Sequence, residues 1–171
     1  MDSLETISRN HPCYFAIIRI KNDVALFARR SYSGILISAL NHFVHFEKMQ
    51  INGYVIHPEG AQLLFQTEKE AEELIRRLII CVSRQMKDFM QNNEAVQRNH
   101  LLQLLQKEND SWLELIHLEV VDSPKVAGSI LHDIHHLPVR EFIAVSPAAY
   151  VLSSASAYSE SRNPVLVSCI K

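Results

Sequence analysis

The chain has 171 residues, 47% hydrophobic and 21% charged, with a formal net charge of −2; that suits one packed domain and is short for two. No run approaches the roughly 18 apolar residues of a membrane span, and the polar start MDSLETISRNHP lacks an apolar export core. Cys13, Cys81 and Cys169 have neither zinc nor disulfide spacing, which points to a reduced, cytoplasmic setting, and the near-neutral charge leaves any nucleic-acid contact to a local patch.

In chain order, CYFAIIRI (Cys13 to Ile20) is rich in β-branched and aromatic residues and predicts a strand, with Lys21-Asn22-Asp23 as a turn and Val24 to Phe27 as a second short strand. Leu36, Ala39, Leu40, Phe43 and Val44 recur at helical spacing between Tyr32 and Met49. Ile51 to Ile56 and Ala61 to Phe65 then predict a hairpin about His57-Pro58-Glu59-Gly60, where Pro presets φ and Gly is free to supply a positive φ. From Glu68 to Met90 an apolar stripe predicts a long helix, with Thr67 as its capping candidate and Glu68, Glu70, Glu72 and Glu73 at its positive end. A shorter helix is expected from Val96 to Lys107. Trp112 to Val121 alternates as a half-buried strand, and a further helix starts near Asp122 or Ser123, with Pro124 early, and ends near His136 before Pro138. The remainder, Val139 to Lys171, reads as short apolar pieces in Ser- and Ala-rich loops. This order predicts an α+β fold, an antiparallel ferredoxin-like sheet with helices packed on it. The domain is taken as 1–171, with a core of about 13–140 and an extension from 141 to 171.

Nine histidines raise the question of a metal. His42 and His45, and His132, His135 and His136, have spacings that can face an ion, but neither group has the HExxH arrangement and nothing brings the groups together. Ser153 and Ser154 lack a GxSxG setting, and four glycines make no phosphate-cradling loop. The charge feature that stands out is Arg76, Arg77, Arg84 and Lys87 with Arg98, against Asp88 and Glu94, a patch able to follow a phosphate backbone or simply to face solvent.

Taken together, the hairpin and the C-terminal segment resemble the single-tyrosine HUH transposases, most closely the REP-associated tyrosine transposases. Gly53 to Leu64, GYVIHPEGAQLL, follows the family frame aYVxMPNHxHxLL. Asp133 to Arg140 and Pro147 to Tyr158 follow YIHxNPVR and PxxYxxSSxxxY, and CYFAIIRI is similar to the family's first strand. The resemblance implies a domain that handles single-stranded or hairpin DNA. Family members use a histidine pair to hold Mg or Mn and a tyrosine to form a covalent bond to DNA. Here the histidine positions fall on Gly60 and Gln62 and the tyrosine on Asp133, no tyrosine lies between Tyr54 and Tyr150, and the asparagine before Pro-Val is Leu137. The resemblance therefore implies a degenerate, catalytically inactive member with no cofactor, whose DNA-binding candidates are Arg76, Arg77, Arg84, Lys87 and Arg140. Two alternatives stand beside it: a divergent metal-dependent nuclease with relocated ligands, for which His57 and Glu59 are the weak metal candidates, and a protein-interaction module.

Overall fold

A computed structural model describes residues 11–93, 105, 111–159 and 161–170. Its sheet is built from β1 (Cys13–Ile20), β2 (Gln50–His57), β3 (Gly60–Gln66) and β4 (Leu113–Val121), in the order β2-β3-β1-β4 with every pair antiparallel. Helix α1 (Arg30–Glu47) links β1 to β2, and α2 (Ala71–Asn93) links β3 to β4. This is the ferredoxin-like arrangement that the sequence predicts.

Strand alternation divides the apolar residues between the two faces of the sheet. Ala16, Ile18 and Ile20 of β1 with Leu63 and Phe65 of β3 meet α1 and α2, where Leu36, Leu40, Leu74, Leu78 and Val82 complete the main core. Burying each large side chain contributes roughly 2 kcal/mol. On the opposite face Cys13, Val55, Leu64 and Val121 pack against Ala127 and Ile134 of a third helix, α3 (Pro124–Arg140). A Cβ at Gly53 would lie 2.5 Å from Leu131 Cδ1, the tip of an α3 side chain that would have to turn aside.

Four sequence expectations need correction. Val24 to Phe27 is no strand: Lys21–Asp23 and Leu26–Ala28 are 3₁₀ turns, because Asn22 and Asp23 take positive φ, the Leu26 amide bonds locally to the Val24 carbonyl at 2.8 Å, and the Phe27 amide donates to the Pro58 carbonyl of the hairpin at 3.0 Å. Thr67 does not cap α2; its hydroxyl accepts from the Lys69 amide at 3.1 Å in a turn before the helix begins at Ala71. Helix α3 does begin with Ser123 as its cap, the Val126 amide donating to Ser123 Oγ at 3.2 Å. It runs through Pro138 to Arg140 instead of stopping at His136, since a proline in the last turn sacrifices one backbone bond and Pro138 itself is buried. Finally, no glycine has a positive φ, so Gly60 is not there for turn conformation. The helix expected from Val96 to Lys107 lies, apart from buried Leu105, outside the described residues.

The segment read as loops is an ordered strap. It contains a 3₁₀ turn at Pro147–Ala149 and the short helix α4 (Ala155–Tyr158), and it covers the edge strand β2. The Ile56 amide donates to Leu152 at 2.8 Å, Ser154 to Tyr54 at 2.9 Å and Ser168 to Ile51 at 2.8 Å. An otherwise open row of backbone groups is thereby closed.

Candidate nucleic-acid interface

The hairpin tip and the C-terminal half of α3 enclose a cleft of about 390 Å³ on the α3 face, walled by Ile17, Arg19, His57, Gln62, Leu137 and Ile143. Register explains who meets there. Arg19, Gly60 and His57 form one row across three strands, and His117, Ile17, Gln62 and Val55 form the next. A bulge in β4, where Ile17 faces His117 but Ile18 faces Leu115, turns His117 onto this side while Leu113 and Leu115 face the main core.

Gly60 decides what the cleft can hold. A Cβ on it would collide with the Ile18 carbonyl and lie 3.1 Å from Arg19 Cα and 3.2 Å from His57 Nε2. The Ile18 carbonyl thus closes the space that a side chain at position 60 would need, and the His57 ring lies beside it. Burial holds His57 below its usual pKa, against the opposing pull of Glu141 and Glu59 and with a smaller contribution from Arg19, so the ring is neutral near pH 7. Neither the His57 ring nor the Gln62 amide makes a side-chain hydrogen bond with a described residue. Among the described residues Arg19 has one long ion pair, 3.6 Å to Asp23, and its side chain is 47% exposed.

A divalent ion of the kind that polarises phosphate needs several oxygen or nitrogen donors converging on one point. Position 60 offers none and has no room for one, Gln62 offers a neutral amide, and exposed Glu59 stands at the rim. Among the described residues no group of three or more His, Cys, Asp or Glu converges. The two family ligand positions, Gly60 and Gln62, do not fit the ion.

Asp133 is exposed on α3, one turn before Leu137, and its carboxylate takes Arg140 Nη1 at 3.0 Å. Arg140 is thereby engaged beside the cleft. The other basic candidates lie across the sheet on α2. Arg76 donates to Glu72 at 2.6 Å; Arg77 clamps Glu47 at 3.1 and 2.8 Å, and Lys69 bonds the same carboxylate. Arg77 and Lys69 together hold Glu47 down to about 2. Arg84 has no ion pair with a described residue, and Lys87 sits 5.9 Å over the Trp112 ring. The sheet therefore separates Arg76, Arg77, Arg84 and Lys87 from Arg140 and the cleft. His42 stacks on Phe46 on α1, and His132 on His136 on α3, so those histidine groups are also on opposite sides. Sequence reasoning missed Arg19, which the strand pattern made an outward position of β1 but which only the register with Gly60 brings to His57.

The C-terminal motif has a structural role. Tyr150 Oη donates to the Ile56 carbonyl at 2.6 Å and Tyr158 Oη to that of Asn52 at 2.7 Å. Ser154 Oγ accepts from the Tyr54 amide at 2.9 Å and shares a 2.8 Å bond with His135 Nε2. Burial, then the neighbouring His136 and His132, pushes His135 down to about 4.

No family model matches the chain, and no curated protein matches it. Among solved structures, a REP-associated tyrosine transposase bound to a REP hairpin is similar at a TM-score of 0.61 and 11% identity, over 94% of this chain and 87% of that one. The chain thus shares the fold of that transposase. No helix among the described residues is long and apolar enough to cross a membrane.

Proposed function

We propose that this protein is a DNA-binding domain on a single-tyrosine transposase scaffold that binds single-stranded or hairpin DNA without cutting it. The observation that carries the reading is Gly60: on a fold that a hairpin-bound transposase shares, the strand position expected to present a metal ligand is sterically closed by the Ile18 carbonyl, with the His57 ring beside it. The nucleophile position supports it, since an Asp133 paired with Arg140 cannot form the stable phosphotyrosine-type linkage that strand transfer requires. Three free cysteines suit a reducing cytoplasmic setting.

The test is a labelled hairpin with a single-stranded flank, titrated at low salt and then incubated with Mg or Mn. Saturable binding is expected, with no strand cleavage and no covalent protein–DNA adduct. Cleavage without an adduct, abolished by His57→Ala, would replace this reading with a nuclease of relocated ligands. Absence of any binding at low salt would leave a protein-interaction domain. Where binding is seen, Arg77→Glu with Arg84→Glu reports whether the α2 face contributes to it.

A further inference from the structure

Phe142 closes α3 in an unusual way. The Ile143 amide donates to the Pro138 carbonyl at 2.8 Å and the Phe142 amide to that of Val139 at 3.1 Å, the paired bonds of a helix end whose left-handed residue is usually glycine. Phe142 holds that place with φ 57, a conformation in which a bulky side chain is strained. Among the described residues no packing offsets the strain, because the ring is 96% exposed. Strain kept without local return is a mark of a residue used in contact with something else.

The surroundings specify the contact. The next residue, Ile143, lines the cleft, in which the His57 and Gln62 side chains make no hydrogen bond with a described residue and Arg19 has a long ion pair, 3.6 Å to Asp23. A flat aromatic face, a neutral imidazole, an amide and a guanidinium complement a nucleotide better than they complement an aliphatic side chain, which would leave the polar groups unmatched. The cleft's volume of about 390 Å³ is within the range of small-ligand sites. Glu59 and Glu141 also line it; they repel phosphate but accept from exocyclic amines, so they favour a base that bears one.

We propose that Phe142 is a stacking platform for an unpaired base of the bound strand, and that the cleft beside it takes an adjoining amine-bearing nucleotide, its base edge met by Gln62 and His57 and its phosphate by Arg19. This rests on the DNA-binding reading and adds where an unpaired base is held. The test compares wild type, Phe142→Gly and Phe142→Trp on a hairpin carrying a single-stranded flank with 2-aminopurine, and on the same hairpin without the flank. Wild type and Phe142→Trp should quench the 2-aminopurine. Phe142→Gly should bind the flanked hairpin about tenfold more weakly, leave the blunt hairpin unchanged, and melt about 3 °C higher because the strain is gone. Equal affinity of Phe142→Gly and wild type for the flanked hairpin would overturn the inference while leaving DNA binding intact. Failure of wild type to bind either hairpin would instead remove the DNA-binding reading, and this inference with it. A lower melting point for Phe142→Gly would mean that the ring supports the fold, and a wild-type dimer dissociated by that change would make it a self-association contact; either result overturns the platform.

Discussion

At the scale of single residues, the informative positions are those where the backbone leaves no choice. Gly60 looked like a turn residue in the sequence, and the actual constraint, the Ile18 carbonyl across the β1–β3 ladder, is a distance no local pattern encodes. Gly60→Ala is therefore expected to destabilise the protein by about 2 kcal/mol in urea unfolding, the scale of an overpacked site. Gly60→His with Gln62→His, which restores the family's letters, should destabilise further and gain no Mn affinity by calorimetry; a folded double variant that binds Mn would show that the hairpin can reopen. His135 gives a pH dependence. Its folded pKa is depressed to about 4, so between that value and the ordinary 6.5 the unfolded chain holds the extra proton and stability rises with pH. The contribution is complete above about 6.5 and is lost as pH falls toward 4. The groups facing the ring are His132 and His136 on its own helix, Ser154 at 2.8 Å and Tyr158, whose ring lies 5.2 Å away. Discounted for its partial exposure, the effect is about 2 kcal/mol. His135→Gln should flatten the melting-temperature profile in that window while leaving the curve above pH 7 similar in shape.

At the scale of elements, periodicity located every strand of the sheet and helices α1, α2 and α3, because each has one wet and one dry side or is dry on both. What it could not locate was structure whose hydrogen bonds are made at long range. The strap is the clearest case: Tyr150, Ser154 and Tyr158 have no repeating apolar pattern, and their order comes from bonds to β2 about a hundred residues earlier. Val24 to Phe27 combines both kinds of bond: its apolar letters suggest a strand, while its amides are used in a local turn at Leu26 and at long range from Phe27 to Pro58. Tyr150→Phe and Tyr158→Phe should each lower stability by about 1 kcal/mol, the usual worth of a lost internal hydrogen bond. Tyr158 should be the more sensitive, since its oxygen also accepts from the Ile170 amide at 2.9 Å. Ending the chain after Ser146 would uncover the β2 edge together with Val55 and Ile56, and aggregation by light scattering is the expected result; a monomeric, folded truncation would show that the edge needs no cover.

At the scale of the whole molecule, the sheet keeps two candidate contact surfaces apart, and their charge decides how DNA would be held. The α2 cations that stood out in the sequence as a patch were counted without their partners. In three dimensions Glu72 and Glu47 neutralise Arg76 and Arg77, and Asp133 does the same for Arg140 on the other side. Glu72 lies four residues before Arg76, a helical spacing that the count of the patch left out; the Glu47 clamp joins two helices and was not legible. With net charge −2 and carboxylates at the cleft rim, binding through this cleft must rest on stacking and hydrogen bonds more than on counterion release. The logarithm of affinity for a flanked hairpin, plotted against the logarithm of salt concentration, should then have a slope no steeper than about −2, as for two or three phosphate contacts. Arg19→Gln should make that slope shallower, whereas Arg84→Gln, on the far side of the sheet, should leave it unchanged. A slope beyond about −4, reduced by Arg84→Gln and not by Arg19→Gln, would move the interface to α2 and make the cleft a bystander.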